Sequence, residues 1–371
     1  SGSASHEGEC VGEARAAISS SYLAASSARS ADCRSMTTIG THSGAFQADE
    51  ALGVWLLRQL PEYKDALLVR SRDNEKLKEL TIVIDVAGVY DHALLRYDHH
   101  QRGFFETFDG KPGEATKAEE ATGEFQTKLS ASGLVYKHYG REILTRLYPA
   151  LTASPDALEW VYVKLYRDFM EAIDGNDNGI ELADEVRYKE NTTLPQRVHR
   201  LNSRWNEGRD GPTEDERFEK ASALCGTEFA EMLAYIVECE LPARELVDGA
   251  LKARADVHPS GQVVCFSSGG CPWKTHLYEL ERAHGLLEAP ILFVLYPDSS
   301  GMWRVQAVTV EGTAFTNRLG LLEPWRGLRD AELTAKAGIE GCKFVHASGF
   351  IGGNATMEGA LAMALETIKL S

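Results

Sequence analysis

Apolar positions come in short blocks along the first third of the chain, and their spacing alternates between two periods. Met36 to His42 has the pattern of a short strand, and Leu67 to Val69 and Thr81 to Val86 are compact apolar runs of buried-strand type. Between them, Asp49 to Leu60 sets Leu52, Val54, Trp55, Leu56 and Leu57 at helical intervals, and Glu75 to Leu80 is a second, shorter helical patch. Such alternation predicts a parallel sheet with crossover helices. Ligands of these sheets bind beyond the carboxyl ends of the strands. His42, Asp49 and Asp85 all follow such ends.

Gly103 to Thr127 is rich in glycine and charge and reads as loop, followed by helical patterns at Ser130 to Arg146 and Asp156 to Ile173. The second of these delivers Asp174 and Asp177 at its exit. Glu181 to Asn202 is polar and irregular, and Thr213 to Ala255 has the spacing of one or two long helices. Strands are expected at Gln262 to Phe266, Ile291 to Tyr296, Trp303 to Val308 and Lys343 to His346, with a closing helix from Met357 to Lys369. The fold class is therefore α/β. A parallel-sheet domain is expected over residues 36–190, a linker over 191–215 and a smaller α/β domain over 216–371, with the active site in the cleft between the domains. Residues 1–35 are rich in Ser and Ala and carry Arg15, Arg29 and Arg34, but also Glu7, Glu9, Glu13 and Asp32. They read as a disordered leader, of targeting origin or a plain tail with a tag remnant.

Composition narrows the function classes. Of 371 residues, 43% are hydrophobic and 25% charged, ordinary for a globular protein, and no apolar run approaches a membrane span. The net charge of −16 disfavours non-specific binding to nucleic acid, though not a substrate held by a local basic groove and metal ions. The seven cysteines include no C-x-x-C pair, so neither a zinc ribbon nor a disulfide framework is indicated.

The candidate chemistry lies in RYDHHQR, where Asp98, His99 and His100 follow one another. Adjacent imidazoles cannot share one face of a strand or helix, so they suit a tight loop in which one ring binds metal and the other meets substrate. Asp85 ends the apolar run Ile82, Val83, Ile84, where an unpaired charge is costly; a carboxylate bridging two metals satisfies it, and a turn or helix-cap Asp is the plainer alternative. His42 and Asp49 are seven apart across a glycine-containing turn, and Glu50 reads as an acid favouring a helix N-terminus. Carboxylate and imidazole at strand ends are what a two-metal phosphoester hydrolase needs.

These residues, with RYDHHQRGFFETF, TKLSASGLVYKHYG, CPWKTHLYELE, EPWRGLRD and FVHASGFIGG, resemble the MYG1 family, a branch of the DHH phosphoesterase superfamily, from about Thr38 to the last helix. The resemblance implies a DHH-type first domain, 3′-to-5′ exonuclease activity on RNA, and mitochondrial and nuclear location, with the cytoplasm as fallback. It also implies up to two divalent ions, Mn²⁺ first and Mg²⁺ as the alternative. His42 and Asp85 would hold one ion, with Gln47 standing where the family motif has a histidine; Asp49, Asp85, His99 and Asp174, or Asp177, would hold the other. Asp98 would orient an imidazole, His100 would contact the phosphate or protonate a leaving oxygen, and Arg102 would neutralise phosphoryl charge, unless it forms a surface ion pair. Ser348, Gly349, Gly352 and Gly353 would cradle a phosphate or terminal nucleotide, together with His346, Asn354 and Arg326, a packing turn being the alternative. Trp273 and Trp325 read first as core or domain-interface residues, with base stacking as the alternative. Lys274, Arg318 and Arg329 are candidates for backbone contacts, and Arg197, Arg200 and Arg204 form a local basic group.

Three departures stand out: Gln47 is a weaker ligand than imidazole, the family's D-V-G-G is D-V-A-G here, with Ala87 at the third position, and Asn354 follows I-G-G where many members of the family carry a histidine. Three functions follow for comparison: the RNA exonuclease, a hydrolase of short oligoribonucleotides or nucleotide phosphates, and a catalytically impaired RNA-binding or regulatory protein. The oligomeric state is open, a homodimer among the options.

Overall fold

In the computed structural model, which describes residues 36–371 apart from 112, 114–116, 118, 119 and 209, the first sheet follows the strand–helix alternation. Strand β1 (Thr38–Thr41) pairs in parallel with β2 (Leu67–Arg70) on one side and β3 (Ile82–Ile84) on the other. Strand β5 (Arg96–Tyr97) adds in parallel to β3, and β4 (Tyr90–Asp91) closes the edge antiparallel, giving the order β2-β1-β3-β5-β4. The chain moves outward from β1 to β2 and then crosses to β3 on the other side. The carboxyl ends of β1 and β3 therefore flank the crevice at the switch point, where doubly wound sheets bind their ligands. The expected leader, residues 1–35, lies outside the described residues.

Helix α1 (Ala48–Arg58) follows β1 and is buried from Ala48 to Leu57. Helix α2 (Asn74–Lys78) leads into β3. Helices α3 (Ala131–Leu147) and α7 (Glu214–Tyr235) cover α1. The crossing with α7 needs Gly226, because a Cβ there would fall 2.1 Å from the Trp55 indole. Phe218, Ala221, Cys225, Phe229 and Leu233 of α7 enter the same core as α1, which continues to Ile236. The helical pattern after Ser154 is α4 (Pro155–Leu165), a wide π turn over Tyr166–Met170, and α5 (Glu171–Asp177). Within the polar segment before residue 215 a short helix forms, α6 (Leu194–His199).

The second sheet pairs β6 (Val263–Cys265) in parallel with β7 (Phe293–Pro297). It continues antiparallel through β8 (Trp303–Ala307), β10 (Ile351–Asn354) and β9 (Cys342–Val345). Alternation along β7 divides its two faces. Phe293 and Leu295 join a core with α11 (Asp330–Ala337) and α12 (Met357–Leu370), whereas Val294 joins another with α8 (Leu241–Lys252) and α10 (Lys274–Ala283). Between α8 and β6 lies α9 (Arg254–Val257). Among the described residues no helix is long and apolar enough to cross a membrane.

The β4–β5 edge packs on α3 through aromatic and imidazole rings. His92 and His138 stack at 3.8 Å and 5°, His138 Nε2 lies 2.8 Å from the Tyr90 hydroxyl, and His92 Nδ1 lies 2.6 Å from that of Tyr97. Burial first, then His92 and the Lys137 ammonium, push His138 down to about 4. A folded value below the ordinary 6.5 means the unfolded chain takes up the proton first, so this contribution to stability is intact above 6.5 and declines as pH falls towards 4. A His138→Gln variant is expected to flatten the decline in melting temperature between those pH values. An unchanged profile would show that the stacked pair does not set it.

Candidate metal centre

The centre is assembled from the ends of three parallel strands and two helices. His42 follows β1, Asp85 follows β3 and His99 follows β5, while Asp49 and Glu50 lie in the first turn of α1 and Asp177 ends α5. Three groups with ligand atoms mutually within 4.8 Å result: His42, Glu50 and Asp85; Asp49, His99 and Asp177; and Asp85, His99 and His100. His42 Nε2 is 3.1 Å from Glu50 Oε1 and 3.3 Å from Asp85 Oδ2. His99 Nε2 is 3.0 Å from Asp177 Oδ2 and 3.5 Å from Asp85 Oδ1. Asp85 thus offers one oxygen to each side.

The donor set fits divalent cations. Both Asp49 oxygens, Glu50 Oε2, Asp85 Oδ1, Asp177 Oδ2 and both His99 nitrogens are buried without a hydrogen-bond partner. Buried polar atoms are normally satisfied, and carboxylates crowded together out of water need positive charge. Burial, then Asp85, Asp177 and Glu50, hold the Asp49 carboxyl well above the usual range. For Asp85 burial acts in the same direction, but His42 and His99 outweigh it and hold that carboxyl low. Burial opposes charge on His42 and His99 as well, yet carboxylate partners raise them to about 10 and about 9. In His42, Nδ1 lies 3.3 Å from the Ser43 carbonyl and 3.1 Å from Arg72 Nη2. Arg72 can only donate, so its contact asks Nδ1 to accept; a cation on Nε2 would require the other tautomer, with the Nδ1 proton directed to the Ser43 carbonyl.

The backbone here is strained. Asp85 has φ 57° and Ala87 φ 86°. An aspartate tolerates this region, but an exposed alanine gains nothing from it. An Ala87→Gly variant is expected to be about 1 kcal/mol more stable, raising the melting temperature by roughly 2 °C for a chain of this size. A lower melting temperature would refute the strain.

Asp98 holds the next loop. It accepts the Gly88 N–H at 2.5 Å, the His100 N–H at 3.1 Å and His100 Nδ1 at 2.7 Å. Burial opposes its charge, but His100 and these N–H groups outweigh burial and keep the carboxyl low. Asp98 in turn raises His100, whose ring is exposed and 3.6 Å from Asp85 Oδ1. Arg102 is exposed beside this loop.

Other expected positions are placed differently. Asp174 is fully buried but turned away: Oδ1 accepts Ser130 N at 2.9 Å and Ser130 Oγ at 2.7 Å, and Oδ2 accepts the Tyr166 hydroxyl at 2.9 Å. Asp177, not Asp174, meets His99. Gln47 is exposed at the N-cap of α1, and its N–H donates to Glu50 Oε1 at 2.8 Å. Asn354 is buried, donating to the Glu340 carbonyl and accepting the Thr356 N–H, so it ties β10 to α12. Gly352 and Gly353 lie within β10, paired on both sides, and a Cβ on either would collide with Leu321 or Arg304. The Gly349 N–H closes a turn on the His346 carbonyl, and Arg326 Nε donates to the Leu321 carbonyl. Of the expected cradle, His346 and Ser348 are exposed and hydrogen-bonded to each other at 2.9 Å. Trp273 and Trp325 are each 4% exposed and belong to the cores, and Arg318 is paired bidentately with Glu281.

Sequence reasoning missed Glu50 as a candidate ligand. Its signal was the helix itself: Ala48 to Leu57 is apolar on every face, which leaves no solvent side for an acid. It also missed Lys128, half-buried, whose ammonium is lowered by burial, with Asp177 and Asp98 opposing.

The family model for MYG1 exonucleases, described as an uncharacterised protein family (UPF0160), matches residues 38–368. A Bos taurus protein named MYG1 exonuclease is 49% identical over 89% of this chain and 84% of its own length. Its Homo sapiens counterpart is 48% identical over 89% and 85%, and a Dictyostelium discoideum MYG1 protein 44% over 90% and 97%. No solved structure matches the chain. A chain that buries imidazoles and carboxylates together at its strand ends thus matches one family across nearly all its described residues: it belongs to the MYG1 exonuclease family.

Proposed function

We propose that this chain is a metal-dependent phosphodiesterase of DHH type that removes nucleotides from the 3′ end of RNA. One observation carries the reading: Asp85 presents one oxygen towards His42 and the other towards His99, and the surrounding buried ligand atoms have no other partner. His42, Glu50 and Asp85 would hold one divalent ion, Mn²⁺ or Mg²⁺, and Asp49, Asp85, His99 and Asp177 the other. When bound, such a pair supplies Lewis-acid stabilisation of phosphoryl charge and an acidified water for in-line attack.

The protein's own groups supply the rest. Asp98 fixes His100 through Nδ1 and favours its protonated form, so Nε2 on the exposed ring can hold a proton for the leaving oxygen. Arg102 would meet phosphoryl oxygens from the rim. Gln47 does not remove this function, because His42, Glu50 and Asp85 close one side of the centre without position 47. We place the second sheet's His346 and Ser348 at the substrate, across a cleft. The reading includes a mitochondrial and nuclear location, which fractionation of tagged protein tests.

A second reading keeps the centre but takes oligoribonucleotides of a few units or nucleotide phosphates. The net charge of −16 favours it, since short substrates need little basic surface. The deciding assay incubates a 5′-labelled 30-mer RNA and labelled dinucleotides with the full chain and Mn²⁺. The exonuclease reading expects a ladder shortening from the 3′ end, stopped by EDTA. Cleavage of dinucleotides alone supports the second reading, and intact RNA and dinucleotides after long incubation reject both.

A further inference from the structure

The most exposed large apolar side chain among the described residues is Trp205, at 96%. It lies on a turn that the structure holds firmly. Glu207 accepts the Arg204 N–H at 3.1 Å and Arg217 Nη2 at 2.6 Å. Arg217 also donates to the Pro212 carbonyl at 3.2 Å. An indole left in water on an ordered turn is a stacking surface whose backbone position is already fixed.

The turn is joined directly to the loop of the metal centre. The Phe46 N–H donates to Asn202 Oδ1 at 2.9 Å, and Asn202 Nδ2 donates to the Phe46 carbonyl at 2.9 Å. Phe46 lies between His42 and Gln47, and its ring packs edge-on against Phe218 at 5.6 Å. The doubly bonded backbone of one residue therefore links the entrance of the centre to a turn carrying an exposed indole three residues further on. Arg204 and Arg200 are exposed on the same stretch, whereas the acid of the turn, Glu207, is paired with Arg217. An aromatic face beside exposed guanidinium groups, with Arg200 donating to the Asn191 carbonyl at 2.8 Å and Arg204 lying near Glu207, matches single-stranded nucleic acid, with a base on the ring and a phosphate on the cation.

We propose that Trp205 is a stacking platform for an unpaired base of a single-stranded RNA whose end enters the metal centre, with Arg204 meeting the adjoining phosphate. The proposal rests on the nuclease reading for its direction towards the centre, but binding can be measured apart from cleavage. The test uses the full chain and a short 5′-fluorescein-labelled RNA without secondary structure. Affinity is read by anisotropy with Ca²⁺ present, and KM and kcat with Mn²⁺.

Trp205→Ala is expected to weaken binding and raise KM roughly tenfold, as loss of one base stack does, with less effect on kcat. Trp205→Phe is expected to recover most of the loss, which a merely misfolded turn would not allow. Phe315→Ala, which removes an aromatic ring 94% exposed on another loop, is expected to match wild type. Wild-type affinity and KM in Trp205→Ala would overturn the proposal, as would an equal loss in Phe315→Ala. Trp205-dependent binding without any cleavage would remove the nuclease reading and keep the platform. Neither binding nor cleavage by wild type would overturn both.

Discussion

An Asp85→Asn variant is expected to lose RNA hydrolysis by at least roughly a thousandfold, equivalent to about 4 kcal/mol of transition-state stabilisation. Asp85 is the one residue shared by the His42 and His99 sides, so weakening it disturbs both ion positions together. Asparagine is chosen because residue 85 sits at φ 57°, a region Asn tolerates and Ala resists. The fold should therefore survive. A readout independent of turnover comes from linkage: ligand binding to the native state raises its stability by about 2.7 kcal/mol at a hundred times Kd. Wild type is expected to melt higher when Mn²⁺ is added, and Asp85→Asn to melt at the same temperature with and without it. Two metal equivalents in the variant by elemental analysis, or near-normal cleavage, would refute the shared-ligand role.

The second large effect separates two acids that lie three apart in the chain. Asp174→Ala is expected to cost about 3–4 kcal/mol of stability in metal-free protein, because it leaves Ser130 N–H, Ser130 Oγ and the Tyr166 hydroxyl without their acceptor in a dry site. Asp177→Asn is expected to cost less than Asp174→Ala in metal-free protein, since an amide oxygen can still face His99 where the carboxylate stood 3.0 Å away, while weakening metal binding. Urea unfolding in EDTA and metal titration read the two separately. Loss of metal with intact stability in Asp174→Ala would reverse the assignment. The first effect has a pH signature. Burial raises the Asp174 carboxyl to about 7 despite its hydrogen bonds to Ser130 and Tyr166. A folded value above the ordinary 3.8 means its contribution is complete below that value and is lost as pH rises through 7. The cost of Asp174→Ala should accordingly be larger at pH 5 than at pH 8.

The difference between these two acids also shows where local sequence runs out. IDGND presents Asp174 and Asp177 in one short run, and spacing cannot say which faces inward to the strand ends. That depends on the packing of α5 beside the start of α3, where Asp174 caps Ser130 so closely that a Cβ on Gly133 would meet its carboxylate at 2.3 Å. The glycines before the last helix are a parallel case. Their pattern suits both a phosphate cradle and a strand, and pairing with β8 and β9 on either side uses the backbone groups that a cradle would need.

Periodicity and punctuation along the chain were sufficient for the alternating strands and helices of β1 to β3, their parallel sense, and the position of His42 and Asp85 after strand ends. Those features depend on local hydrophobic spacing and on the general geometry of crossover connections. Long-range packing decided the remainder. It buried Glu50 beside His42, brought Asp177 rather than Asp174 to His99, and left Gln47 and Trp205 in solvent. Whether a polar or aromatic side chain faces a core, a cation or water is often set by neighbours far along the chain, as with Asn202 and Phe46, 156 residues apart, and no local window of sequence contains them.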